Sequence, residues 1–168
     1  MNLAAAQALA ERIAAELRGF CRRLEIAGSI RRRRPEIGDI DLVCVPRGIT
    51  GREAILERCG QQSRLIKEGA QYVVFSLPSG FQLDLWFARE DQETLIDTTP
   101  TNFGMLLLAR TGSAAHNIYL AQTAKGRGLH FHPHLGILHG DQVIASETEE
   151  AIFSALGLSF IPPEARER

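Results

Sequence analysis

The chain has 168 residues, 45% of them hydrophobic and 23% charged, with a formal net charge of −1. That balance belongs to one compact domain, or two small lobes sharing a chain, and excludes extended disorder, collagen-like repeats and low-complexity architecture. No run of about 18 apolar residues exists to cross a membrane, and the apolar N-terminus is interrupted by Glu11 and Arg12 and lacks a basic leader. A cytoplasmic, non-secreted protein is expected, with Cys21, Cys44 and Cys59 as free thiols because their spacing is not that of a zinc site. The near-zero total hides an asymmetry: residues 1–67 carry 13 Lys/Arg against 8 Asp/Glu, and residues 68–168 carry 6 against 12. A basic front half can serve a polyanion even when the whole chain is neutral.

Leu9, Ile13, Leu17, Phe20 and Leu24 recur at helical spacing and predict an amphipathic helix over 3–24. A short strand, Glu25–Ala27, leads into Gly28-Ser29. The run Arg31–Pro35 reads as a loop, because Pro35 and Gly38 break regular structure. Asp39–Pro46 is strand-like. Thr50 is the expected N-cap of a helix over 51–59, with Glu53 at the capping-box position. Tyr72–Leu77 and Gln82–Ala88 flank Pro78-Ser79-Gly80 and predict a β-hairpin. Residues 89–102 read as an irregular connector, with the acidic stretch Glu90–Asp97 solvated. Helical runs follow at Phe103–Arg110 and Ser113–Lys125, short strands at 129–132 and 142–145, and a helix at Glu147–Leu156 closed by Gly157. Helices and strands mix without a βαβ period, so the class is α+β.

Three carboxylates stand out. Asp39 and Asp41 lie two apart on a strand, so both leave the same face, roughly 7 Å apart. Asp84 sits between Leu83 and Leu85 in the hairpin, and a charge inside an apolar strand is expensive unless compensated. Clustered carboxylates repel, and a divalent cation relieves that; oxygen-only ligands favour Mg²⁺ or Mn²⁺ over zinc. Two such ions can stabilise the attacking and leaving oxygens of phosphoryl transfer. Upstream, Gly28 lets a phosphate approach the backbone, Ser29 offers a hydroxyl, and Arg31 and Arg32 supply forked guanidinium contacts. Taken singly, each feature has an ordinary account: a strand D-x-D, a Gly-Ser turn, an Arg-rich surface loop. Their combination points to nucleotide chemistry.

This constellation resembles the palm of polymerase-beta-like nucleotidyltransferases, carried by Gly28-Ser29, Gly38-Asp39-Ile40-Asp41 and Asp84. Thr111-Gly112-Ser113 with His116-Asn117 resembles the thumb segment of family X DNA polymerases, the bacterial branch above all. Leu156-Gly157-Leu158 and Ile161-Pro162-Pro163-Glu164 resemble the thumb's end. The resemblance implies a palm over 1–90, a mixed sheet with helices on one face, and a small α/β thumb over 91–168. The family's lyase and helix-hairpin-helix domains are not expected. It implies that Asp39, Asp41 and Asp84 hold two Mg²⁺ (or Mn²⁺) ions and are the catalytic residues, Asp84 also helping to activate the primer 3′-hydroxyl. Gly28, Ser29, Arg32 and Gly38 would hold the triphosphate. Thr111, Gly112 and Ser113 would form the turn under the sugar, with a cis peptide between Gly112 and Ser113. Asn117 would meet the base's minor-groove edge. Arg33, Arg34, His116, Lys125 and Arg127 would face DNA.

The implied activity is template-directed addition of one or a few dNTPs to a primer 3′ end in short-gap repair or end joining, by a monomer in the cytoplasm or with nucleoid or viral DNA. The implied partners are primer-template or gapped DNA, and a repair protein supplying grip. Ala109-Arg110 stand where the family has an aromatic pair, and Ala121 where some relatives place an Arg on the template. Ribonucleotide-tolerant or template-independent end addition is therefore an alternative, as are transfer to a non-DNA acceptor and a non-catalytic DNA-binding module. His130, His132 and His134 alternate, but Pro133 interrupts them and no carboxylate lies nearby in sequence, so an ordinary or DNA-facing strand is the expectation. Trp86 is expected to pack beside Asp84, and Tyr119 and Phe131 to be core.

Overall fold

Helix α1 (Leu3–Leu17) buries alanines more completely than its larger residues. Ala6, Ala10, Ala14 and Leu17 are buried, while Leu9 and Ile13 are only partly covered. Their spacing of four, four and three marks one helical face, and small side chains let the helix lie close to what it covers. The helix ends at Leu17 rather than residue 24. Gly19 weakens a helix interior, Arg18–Phe20 tightens into a 3-10 turn, and the backbone of strand β1 (Cys21–Ile26) pairs with its neighbour instead. A single helical turn, α2 (Gly28–Arg31), then leads through the arginine loop to β2 (Asp39–Pro46), the strand expected residue for residue.

The computed structural model describes residues 1–90, 92–93 and 98–167, and divides into two compact units, Met1–Ala88 and Arg89–Arg168. In the first, α3 (Gly48–Gly60) begins before residue 51. Arg47 occupies the cap without a side-chain bond, so Thr50 does not cap this helix. Strands β4 (Tyr72–Ser76) and β5 (Gln82–Phe87) form the expected hairpin, with Gly80 at a φ of +82° in its turn. Strand β3 (Arg64–Glu68) adds an edge. The sheet order is β1-β2-β5-β4-β3, with β2 and β5 parallel and the other pairs antiparallel. Ile40, Leu42 and Cys44 of β2, Leu83 and Leu85 of β5, and Val73 and Phe75 of β4 pack in one core with the α1 alanines and with Ile55 and Cys59 of α3. By strand alternation the opposite face carries Asp39, Asp41, Gln82, Asp84 and Trp86.

The second unit opens with two-residue strands β6 (Gln92–Glu93) and β7 (Thr98–Thr99), paired antiparallel. The acidic stretch Glu90–Asp97 falls mostly outside the described residues. Helices α4 (Phe103–Thr111) and α5 (Ala114–Gly126) follow, then an antiparallel sheet of β8 (His130–His132), β9 (Gly136–His139) and β10 (Gln142–Ala145) in the order β10-β9-β8, and α6 (Glu149–Ala155). Met105, Leu108, Leu120, Ile137, Ile152, Phe153 and Leu156 form its core. Gly104 lets α4 meet the start of α6, since a β-carbon there would fall 2.4 Å from the Thr148 backbone. The class is α+β. Among the described residues, no helix is long and apolar enough to cross a membrane.

Candidate active site

The parallel register of β2 and β5 sets Asp41 directly beside Asp84, and Asp39 beside Gln82. Register partners on neighbouring strands point to the same face, about 4.8 Å apart, so the topology gathers all three aspartates on the face away from α1 and α3. All three are half-buried. Gln82, two residues before Asp84 and on its face, donates from Nε2 to Asp84 Oδ1 at 2.9 Å. Among the described residues, no three His, Cys, Asp or Glu side chains stand closed into a cation-holding group. What the fold provides is placement: three carboxylates on one face, with the third engaged along its own strand. The donors are oxygens only, which fits a hard divalent cation rather than zinc or copper.

Gly28 explains itself through Asp41. It sits at a φ of +62°, and a β-carbon there would lie 2.1 Å from Asp41 Oδ2. Only glycine satisfies both the left-handed backbone and the contact. Ser29 Oγ is buried and has no hydrogen-bond partner among the described residues, a costly state for a hydroxyl. The arginine loop closes on this turn: Arg32 N donates to Gly28 O, Arg33 N to Ile30 O and Arg34 N to Ser29 O. Arg33 holds a left-handed φ of +57°. Arg32 is half-buried, whereas Arg33 and Arg34 are exposed. Gly38 is exposed, a β-carbon there would meet nothing within 4 Å, and its φ is not left-handed. No contact among the described residues explains this glycine. Trp86 stacks on Tyr72 with ring centroids 5.1 Å apart, packing on the aspartate-bearing face as expected.

In the second unit, α4 ends at the buried Thr111, Gly112 turns at a φ of +70°, and the Gly112–Ser113 peptide is cis, as the resemblance implied. Ser113 caps α5, its Oγ accepting from His116 N at 3.2 Å. Its backbone N–H donates to Arg166 O at 3.0 Å. Asn117 Nδ2 donates to Ala109 O at 2.8 Å, while Asn117 Oδ1 has no partner among the described residues. His116 corrects the DNA-facing expectation: it is fully buried, its ring 6.1 Å from those of both Tyr119 and Phe153, because it falls on the inward side of α5. Lys125 and Arg127 are exposed at the end of α5, the Arg127 guanidinium lying over the bare α-carbon of Gly157.

The histidine ladder is held by its neighbours. The ring centroids of His130 and His132 are 6.0 Å apart, and those of His132 and His134 6.2 Å. Arg110 Nη2 lies 3.3 Å from His134 Nε2, and Asn102 Nδ2 donates to His134 O at 2.6 Å. Burial, then the Arg110 charge and His132, hold the His134 pKa below its ordinary value.

Sequence reasoning did not single out Gln82, although strand alternation puts it on the aspartate face. It also passed over Glu149 and Arg166, which no local motif marks.

The first unit carries its three carboxylates on two parallel strands of a mixed sheet, and the second is a small α/β unit. Residues 106–167 match the family model of the DNA polymerase beta thumb. The whole chain superposes on Leishmania infantum polymerase beta in its ternary primer-template complex, with a TM-score of 0.77, 16% identity and 77% of that chain covered. For the ternary gap complex of the same enzyme the values are 0.74, 15% and 71%. A search of curated proteins finds no match. The fold is therefore that of polymerase beta, and residues 106–167 match the polymerase beta thumb, in keeping with the fold and the thumb that the motif resemblance implied.

Proposed function

We propose that this chain is a minimal family X DNA polymerase, with a palm over 1–90 and a thumb over 91–168, that adds one or a few dNTPs to a primer 3′ end in short-gap repair or end joining. The observation that carries the reading is the parallel register that sets Asp41 beside Asp84, with Asp39 on the same face and Gly28 cleared for Asp41. A catalytic residue pattern on the polymerase beta fold, followed by a polymerase beta thumb, favours a nucleic-acid end as acceptor over a small molecule. The matched structures are a ternary primer-template complex and a ternary gap complex of that enzyme, which supports DNA partners of the same kind here.

Asp39, Asp41 and Asp84 would hold two Mg²⁺ or Mn²⁺ ions, and Asp84 would exchange its Gln82 partner in doing so. When bound, such ions neutralise phosphate charge and lower the pKa of a coordinated hydroxyl. The chain's own residues do the positioning. Ser29 Oγ, which has no partner among the described residues, donates to a terminal phosphate oxygen. Arg32 adds a charge-assisted contact from the same turn. Gly38 leaves its backbone approachable. Thr111-Gly112-Ser113 forms a floor for the sugar, and Asn117 checks the base edge with its remaining Nδ2 hydrogen. Arg33, Arg34, Lys125 and Arg127 meet DNA phosphates, a contact that weakens with salt. Catalysis then rests on orientation and charge neutralisation.

A second reading, ribonucleotide-tolerant or template-independent addition, is favoured by Ala109, a small residue where the family sets an aromatic one against the sugar. The test is primer extension across a one-nucleotide gap with each dNTP and each rNTP, in Mg²⁺ and in Mn²⁺, beside an Asp39→Ala/Asp41→Ala control. Templated incorporation that the control loses supports the reading; incorporation that ignores the template supports the second. No incorporation on any DNA end overturns both.

A further inference from the structure

Among the described residues, the most deeply buried charge lies in none of the sites above. Arg166 is wholly inaccessible. Its Nη1 donates to Glu149 Oε1 at 2.6 Å, and Glu149 is itself 5% exposed. Its Nε donates to Ile161 O at 2.8 Å. The guanidinium carbon lies 5.4 Å from the Phe153 ring centroid and 5.5 Å from that of Phe160, and those two rings meet edge to face. Burying a guanidinium is unfavourable unless geometry and partners are good, and apolar residues of similar size often fill such a position at no cost in stability. The ion pair therefore calls for an account other than simple adhesion.

The backbone supplies one. The carbonyl of Arg166 accepts the N–H of Ser113 at 3.0 Å. Ser113 follows Gly112 in the turn and caps α5, the helix that carries Asn117. Segment 156–162 has no regular structure that would hold this carbonyl in place, and Pro163–Ala165 is a single 3-10 turn. The side chain of Arg166 does so, through Glu149 on α6 and through Ile161. Apolar packing slides; a forked donor fixed at two acceptors does not.

We infer that Arg166, with Glu149, is a positioning residue for the nucleotide: its buried ion pair fixes the carbonyl that sets the Thr111-Gly112-Ser113 turn, and through that turn the seat of the incoming sugar. This rests on the polymerase reading above and deepens it. Arg166 acts through Ser113, so its loss should fall on nucleotide recognition and spare DNA binding.

The experiment takes the full chain, Arg166→Lys, and Glu149→Met/Arg166→Met. The double variant removes both charges together and leaves no buried ion unpaired. Single-nucleotide gap filling gives kcat and KM for a dNTP and its rNTP, with the KM for gapped DNA measured alongside and thermal melts confirming that each variant is folded at the assay temperature. Amide hydrogen exchange of Ser113 is read on the unsubstituted chain. The expected result is a protected Ser113 amide and, in the folded variants, a dNTP KM raised about tenfold, a kcat changed by less than about threefold, an altered dNTP/rNTP ratio and an unchanged KM for DNA. A folded variant with the original nucleotide KM and sugar ratio overturns the inference, and so does an unprotected Ser113 amide, which needs no variant at all. If the unsubstituted chain incorporates no nucleotide, the polymerase reading itself has failed, and the exchange measurement still reports whether the tether exists.

Discussion

Replacing Gly28 by alanine tests whether Asp41 is used. The new β-carbon would fall 2.1 Å from Asp41 Oδ2, where an ordinary contact begins near 3.4 Å, so the carboxylate or the turn must retreat by more than 1 Å. The left-handed φ of +62° adds roughly 1–2 kcal/mol of backbone strain. That is well within the margin of an ordinary domain, so the protein should stay folded with a modestly lowered melting temperature. A misplacement of about 1 Å in a reacting constellation costs on the order of 10²-fold in rate, or about 2.7 kcal/mol of transition-state stabilisation. Gap filling by Gly28→Ala should therefore fall about a hundredfold in kcat/KM while affinity for gapped DNA holds. If the variant is folded and fills the gap within about threefold of the original rate, Asp41 is not held against Gly28 in the reacting state, and the catalytic assignment built on that contact is wrong.

Asp84→Asn removes one of two like charges set side by side on β2 and β5. Incorporation should drop at least about 10³-fold, while metal-free stability stays level or rises by about 0.5 kcal/mol; a less stable yet active variant would contradict both halves. Gly38→Ala should leave the melting temperature unchanged, because its β-carbon meets nothing of the chain, and raise the dNTP KM; an unchanged KM would show that no ligand needs that space. His134 has a folded-state pKa below its ordinary 6.5, so the folded state is the weaker proton binder. Its contribution to stability is complete above pH 6.5 and is lost as pH falls through that value toward the folded pKa, and His134→Gln should flatten this part of the melting profile. Burial pushes the Cys59 thiol up to about 12, and the hydrogen bond with Cys21, then burial, hold the Cys44 thiol well above its ordinary value. Iodoacetamide at pH 8 should therefore leave Cys44 and Cys59 unmodified in the native protein and label them only after unfolding; fast native labelling of Cys59 would contradict the burial.

The sequence was most legible where periodicity and chemistry coincided. Asp39–Pro46 reads as a strand because Leu42, Val43, Cys44 and Val45 run together, and the placement of Asp39 and Asp41 on one face follows from alternation alone. That Asp84 belongs beside Asp41 is a matter of register across a parallel pair, which depends on a crossover no local pattern records. The edge strand β3 was hidden because all five of its residues are exposed and show no alternation. Helix α1 looked longer than it is because Phe20 and Leu24 keep the helical spacing after the backbone has become extended. Its true inner face was overlooked because alanine carries little hydrophobic signal, though at 0–1% exposure Ala6, Ala10 and Ala14 are, together with Leu17, the most completely covered residues on the helix. His116 next to Asn117 looked like a pair of ligand contacts, yet successive residues on a helix are about 100° apart, so one of the two faces inward. The Arg166 clasp joins residues 17 apart and a backbone carbonyl to a turn 53 positions upstream, a relation that only folding creates.

The pairing of β2 with β5 also says where this lineage can vary in length. Strand alternation has a period of two, so deleting one residue from within Gln82–Phe87 would turn Asp84 toward the helices and bring Leu83 or Leu85 out in its place. The Pro78–Gly80 turn a few positions earlier has no such constraint, since a longer connection changes the loop and leaves the ladder as it is. Insertions and deletions should accumulate in related chains at that turn and stop abruptly at Gln82, which gives a boundary that can be sought in sequences without measuring any activity.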